Sequence, residues 1–227
     1  MAIERVRLRV YLEEPIRPPE LTAFGASIDV PGAIAGRGYL EIGPGDQPGT
    51  SKIGGQIDVT IRPISLRVAA AFEMQTVIDP NDPSRQVTAV YVGLNLVLPV
   101  GIPLGTSGIG IFGFRGIFGM HYQRNDQLGT NGASPALGWL QATEGQPHLI
   151  QSPTQHNILW KPKIDNWAFG IGILLGSMEG GFIINLDGTL ILELPGPRVA
   201  IVFNARIISP PPAARRHGQL RRYPGDH

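Results

Sequence analysis

The stretch Gln86–Phe114, QVTAVYVGLNLVLPVGIPLGTSGIGIFGF, decides the fold of this chain. Its 29 residues carry no formal charge, and they include six glycines and two prolines. The stretch is long enough to cross a bilayer as a helix, but glycine and proline at this density break helices. Glycine between β-branched and aromatic residues favours extended strands that pack close to other backbone. We therefore expect two long strands here, joined by a turn at Pro99–Gly105.

Outside this stretch, apolar and polar residues alternate with a period of two, which is the pattern of a half-buried strand. The alternation covers Arg5–Val10, Gly55–Arg62, Ile64–Gln75 and Val199–Ile207. Clusters of glycine, proline, asparagine and aspartate separate the runs and predict turns. The pattern as a whole predicts ten strands, at 3–13, 20–30, 33–43, 53–62, 64–77, 86–99, 108–122, 167–178, 181–194 and 198–208.

These strands predict an all-β protein, a mostly antiparallel meander of long strands that forms a curved sheet or an open sandwich. Asp187-Gly188 suggests either a bulge in its strand or a hairpin turn, and we favour the bulge because each hairpin arm would be short. Residues 1–209 are expected to form a single β-rich domain with a long polar excursion at 125–157. Residues 210–227 are expected to be a disordered basic tail.

Composition and charge limit the classes of function. Hydrophobic residues make up 42% of the chain, which argues against wholesale disorder. The net charge is +1, with +3 in the tail and −2 in the rest, so we expect no nucleic-acid partner. The chain has no cysteine, which excludes disulfides and cysteine-ligated metals.

The N-terminal residues MAIERVRLRV lack the apolar run of a secretory signal peptide. We expect neither a signal peptide nor a transmembrane helix, and the compartment stays open. Strands inserted into a membrane were the alternative, since their lengths fit. The missing signal and strands that are polar on one face only in part of the chain argue against membrane insertion.

Catalytic, cofactor and metal motifs are weak in this chain, and we predict none of these sites. Gly108–Gly113 matches the dinucleotide pattern G-x-G-x-x-G, but glycine continues after it where a phosphate-binding helix should begin. No serine lies in a G-x-S-x-G elbow. The histidines lack metal-ligand spacing. The sequence therefore predicts that the protein is not an enzyme.

Several glycine-rich blocks resemble one bacterial family, DUF6603, a domain of unknown function in large β-rich proteins. The blocks are Asp29–Gly38, Leu98–Gly105, Ile109–Phe114 and Phe182–Pro197. The resemblance implies an extended β architecture and a part of something larger, and it offers no catalytic residues to carry over.

We expect the chain to be a non-enzymatic structural or interaction segment of a larger β-rich protein, which neighbouring β modules or subunits join through the sheet edges. The alternative is a carrier that binds lipid or another small apolar ligand along the apolar face, lined by the strands of 86–114 and 167–194. The residues proposed for that lining are Leu96, Ile111, Phe112, Phe114, Trp167 and Phe169. A third hypothesis is an enzyme that uses residues 125–157 as a lid.

Overall fold

The computed structural model describes residues 2–10, 20–125, 159–178 and 184–207. Alternating side chains and turn residues shape these ranges into ten strands and one turn of 3-10 helix at Arg62–Ile64. The strands are β1 (Ala2–Arg9), β2 (Glu20–Val30), β3 (Ile34–Pro44), β4 (Ser51–Ile61), β5 (Leu66–Asp79), β6 (Asp82–Pro103), β7 (Ile109–Arg124), β8 (Trp160–Ser177), β9 (Ile184–Leu194) and β10 (Arg198–Ile207).

The ten strands form one antiparallel sheet in which each strand pairs with the next one along the chain. Among the described residues, β1 pairs only with β2 and β10 only with β9, so the sheet is open at both ends. This confirms the predicted all-β meander and, of the two predicted forms, supports the curved sheet. The excursion at 125–157 and the tail at 210–227 lie, apart from Asn125, outside the described residues.

The turn between β6 and β7 lies later than the sequence predicts. Strand β6 continues through Pro99 to Pro103, and the chain reverses at Leu104–Gly108, where Gly105 and Gly108 have positive φ. The prediction of a turn starting at Pro99 was therefore wrong. Pro99 fits inside the strand because the β6–β7 register shifts between Val97 and Ile102, where regular ladder hydrogen bonds are interrupted.

The prediction of a bulge at Asp187-Gly188 was also wrong. Strand β9 pairs with β8 and with β10 through these residues without a register shift. Gly188 lies directly opposite Phe203 of β10, and a Cβ on Gly188 would come 3.7 Å from the Phe203 ring. The glycine thus stands in a regular strand beside an aromatic ring.

The buried core lies on one face of the sheet. It contains the rings of Tyr91, Tyr122 and Trp160, with centroids 5.8 and 5.4 Å from that of Tyr91. Packing on this face is tight around a glycine: a Cβ added at Gly170 would approach the Cβ of Ile117 to 3.0 Å. Such crowding is expected on the inner side of a curved sheet, where side chains converge. Within the described ranges, no helical segment has the length and apolar character needed to cross a bilayer.

Candidate functional site

The opposite face of the sheet is exposed and consists of three rows of apolar residues, each crossing β2 to β10 in register. The first row is Phe24, Leu40, Gly55, Phe72, Val92, Phe118, Phe169, Leu192 and Val199. The second row is Ala26, Gly38, Ile57, Ala70, Leu94, Gly116, Ile171, Leu190 and Ile201. The third row is Ile28, Gly36, Val59, Val68, Leu96, Phe114, Ile173, Gly188 and Phe203.

No polar or charged side chain interrupts these rows, which we call the exposed apolar face. Many of its side chains are accessible, including Leu94, Phe114 and Ile171. Soluble monomers rarely expose a contiguous apolar patch larger than about 300–600 Å². Three unbroken apolar rows across nine strands make this face a candidate interaction surface.

Charged side chains lie on the opposite, buried face, and three groups of them form ion pairs that cross strands. Glu193 of β9 is fully buried and accepts hydrogen bonds from the backbone N–H of Arg124 at 2.7 Å and from its Nε at 2.8 Å. The Nη2 of Arg198 lies 3.1 Å from the same carboxylate. The carboxylate of Glu193 thus joins β7, β9 and β10 across Ala168 of β8, whose small side chain leaves it room.

A second buried cluster surrounds Glu73 of β5. The hydroxyl of Tyr122 donates a hydrogen bond to Glu73 at 2.6 Å and accepts one from Gln75 at 2.9 Å. The Nζ of Lys52 lies 3.2 Å from the other carboxylate oxygen of Glu73. This cluster connects β4, β5 and β7, passing over β6, so it supports the curvature of the sheet.

A third pair crosses β8 at a glycine. Arg115 of β7 forms a two-point ion pair with Asp187 of β9, and its Nη2 lies 2.7 Å from Oδ2. Gly172 lies directly opposite Arg115 in the intervening strand. A Cβ on Gly172 would come within 2.6 Å of the Thr189 hydroxyl oxygen. The glycine therefore leaves the space that this cross-strand contact needs.

Burial changes the acid–base behaviour of two tyrosines. Desolvation, and next the nearby charge of Glu73, raises the pKa of Tyr122 far above its ordinary value. The same two causes, in the same order, raise the pKa of Tyr91. In the unfolded chain a tyrosine side chain loses its proton at about pH 10. Above that pH the unfolded chain therefore holds fewer protons than the folded protein, and stability falls as pH rises.

We expect the free energy of unfolding to be insensitive to these tyrosines below about pH 10 and to fall above it by about 1.4 kcal/mol per pH unit for each of them. Tyr122→Phe should remove one of these two contributions to the slope. At neutral pH the same change should cost about 1–3 kcal/mol, because Glu73 and Gln75 lose a buried hydrogen-bond partner. Urea unfolding at a series of pH values measures both effects, and equal slopes in the two proteins would contradict the assignment.

The six residues predicted to line an apolar site do not meet in one place. Leu96 and Phe114 are neighbours in the third row, while Phe169 lies in the first row with Trp167 stacked beside it at a centroid distance of 6.4 Å. Ile111 lies further along β7, opposite Leu175 of β8 and therefore on the same side as Ile173.

Phe112 lies on the opposite face. The register of β7 against β8 shifts between Ile111 and Gly113, which turns the Phe112 side chain towards the buried face. There its ring packs over Gly101 and Gly176, and it is 7% exposed. A bulge of this kind depends on pairing between strands, and no local sequence signal indicated it.

A groove of about 510 Å³ lies elsewhere on the exposed apolar face, across β2 to β6. Its floor contains second-row residues with little side chain, namely Ala26, Gly38 and Ala70, with Ile57 between them. First-row residues form one wall, namely Phe24, Leu40, Phe72 and Val92. None of the six predicted residues lines this groove. Their prediction used the apolar character of single strands, whereas the groove arises from register across five strands.

The chemistry available at this face is apolar contact. Among the described residues, no group of three or more histidine and acidic side chains is placed to hold a metal ion. His121, the one histidine in the described ranges, accepts a hydrogen bond at Nδ1 from the backbone N–H of Asp165. The carboxylates of Glu73, Glu193 and Asp187 face their cationic partners.

The fold and the exposed face together define the class: over the described residues, an all-β protein built on an open antiparallel meander of ten strands, with three unbroken apolar rows on one face. No protein-family model, no curated protein and no solved structure matches the chain. The resemblance to DUF6603 therefore stays a prediction.

Proposed function

We propose that the chain is a non-enzymatic structural segment of a larger β-rich protein, in which strands of neighbouring modules or subunits extend its sheet at β1 and β10. The observation that carries the proposal is the open edge at β10, where the exposed apolar face ends abruptly. Val199, Ile201 and Phe203 on this strand are 61%, 69% and 63% exposed. An exposed edge strand offers unpaired backbone groups to another strand, and apolar side chains add to that tendency.

The number of strands supports the same proposal. Because ten is even, β1 and β10 run in opposite directions. A β1 placed beside the β10 of another unit would therefore continue the antiparallel meander. Val6 of β1 lies opposite Phe24 of the first row, so apolar residues would also meet across the junction. The resemblance to a family of large β-rich proteins agrees with a sheet that continues beyond this chain.

Cross-linking between introduced cysteines tests edge pairing, and the natural chain has no cysteine to interfere. We expect a mixture of Val6→Cys and Val199→Cys chains, which both continue the first row, to form disulfide-linked heterodimers under mild oxidation, because directly opposite residues of paired strands bring Cα atoms within about 4.5–5.5 Å. The control pairs Val199→Cys with Leu94→Cys, whose cysteine lies on the same exposed face in the middle of the sheet. Non-specific contact between apolar faces would link both mixtures equally, and that result, or no linkage at all, would overturn the proposal.

A second candidate function is that of a carrier for a small apolar ligand, and the groove across β2 to β6 favours it. Its volume lies within the range of about 300–1,000 Å³ that is usual for small-molecule sites. Apolar sites of this size bind by removing hydrocarbon surface from water. The carrier candidate does not depend on edge pairing, because the groove is built within one chain.

A further inference from the structure

The groove has the proportions of a channel one side chain deep. Successive residues on one face of a strand lie about 7 Å apart, so a floor of small second-row residues beside the first-row wall is roughly that wide. Ala26, Gly38 and Ala70 provide the small residues of the floor, and Ile57, 49% exposed, is the larger side chain that stands between Gly38 and Ala70. From β2 to β6 the channel crosses four strand spacings, roughly 19 Å at about 4.8 Å each.

The pairing register between strands places the residues of the channel side by side. Ala26 pairs with Gly38, and Gly38 pairs with Ile57, which pairs in turn with Ala70. The same register forms the wall, because Leu40 lies opposite Gly55 and Gly55 lies opposite Phe72. A Cβ on Gly55 would come 2.6 Å from the Phe72 ring, so the ring occupies the space above that glycine.

The channel excludes several kinds of occupant. An α-helix, about 10–12 Å in diameter with its side chains, is too wide for it. An extended peptide would bury backbone N–H and C=O groups against a floor that offers no hydrogen bonds, since the sheet ladder already uses its own. A bilayer surface would contact all three rows alike and would not need a channel along the second. An unbranched hydrocarbon chain meets every condition: it is narrow, extended and without hydrogen-bonding groups.

We propose that the groove across β2 to β6 binds the acyl chain of a free fatty acid, one molecule per protein chain, with its carboxylate left in water. This inference rests on the carrier candidate and names its ligand class. Each buried methylene contributes about fourfold in affinity. Affinity should therefore rise from laurate to myristate to palmitate and level off once the channel is filled.

Filling the channel tests the proposal. Gly38→Leu should lower palmitate affinity at least about tenfold, because the new side chain displaces several methylenes. The position accepts a side chain, since a Cβ on Gly38 meets Ile57 at an ordinary contact distance of 3.4 Å. The matched control is Gly116→Leu, in the same row outside the groove, where a Cβ meets nothing within 4 Å. Ala70→Leu provides a second variant that fills the same channel.

The measurement is isothermal titration of the full chain with each fatty acid below its micelle concentration, together with displacement of the apolar dye 1-anilinonaphthalene-8-sulfonate. Saturable binding that Gly38→Leu and Ala70→Leu weaken at least about tenfold and that Gly116→Leu preserves would support the proposal. Equal loss in all three variants, no loss in the two channel variants, or uptake of the protein only by phosphatidylcholine vesicles would overturn it. Dye binding in the channel without fatty-acid binding would overturn the ligand class and leave the carrier candidate standing, whereas absence of both would remove the carrier candidate as well.

Discussion

Glu193→Ala should lower the free energy of unfolding by about 3–5 kcal/mol, the usual cost of removing one partner from a buried ion pair. The side chain of Glu193 is fully buried and lies between the guanidinium groups of Arg124 and Arg198. Its removal leaves two cations facing each other across β8 and β9 without the carboxylate between them. Urea unfolding followed by tryptophan fluorescence measures the change.

An exposed ion pair provides the control for this prediction. Asp29 lies 2.6 Å from the Nη2 of Arg62, and its side chain is 68% exposed. Asp29→Ala should cost less than about 1 kcal/mol, because water screens the pair. If Glu193→Ala proved as mild as Asp29→Ala, the buried carboxylate would not hold β7, β9 and β10 together in the way described.

Gly113→Ala should lower the free energy of unfolding by about 1–3 kcal/mol through overpacking. A Cβ on Gly113 would come 2.6 Å from the carbonyl oxygen of Leu96 in the neighbouring strand. That oxygen belongs to the backbone of β6, so relief would require the two strands to separate at a point where they pair.

Gly116 of the same strand provides a matched control. A Cβ at this position meets no atom within 4 Å, and Gly116→Ala should therefore change stability by no more than about 0.5 kcal/mol. Thermal or urea unfolding of the two variants side by side gives the comparison. Equal losses in the two variants would contradict the assignment, because only Gly113 has the close approach to Leu96.

Strand positions could be predicted because their signal is local. Alternation over Ile64–Gln75 marks β5, and the turn residues around Asp79–Pro83 mark its end, without knowledge of any other part of the chain. The same local reading misplaced the turn at Pro99, because a proline inside a strand is tolerated where the pairing register shifts. That shift depends on β7, which lies beyond the turn.

The position of the candidate groove depends on strand pairing more than the positions of the strands do. Ala26, Gly38 and Ala70 are distant in sequence, and nothing in their immediate surroundings indicates that they share a row. Phe112 has the apolar side chain expected of a lining residue, yet one extra residue in β7 places it on the opposite face. Because side chains alternate across a strand, a shift of one residue exchanges the two faces.

The sequence by itself determined that this protein is all-β, that its strands are long and that each has an apolar side. These properties follow from local periodicity and from glycine and proline, whose effects extend over only a few residues. The tertiary structure alone decided that the apolar sides join into one exposed face and that the carboxylates of Glu73 and Glu193 lie on the buried one. The physical reason is register, since turns and bulges determine which residues stand side by side across the sheet.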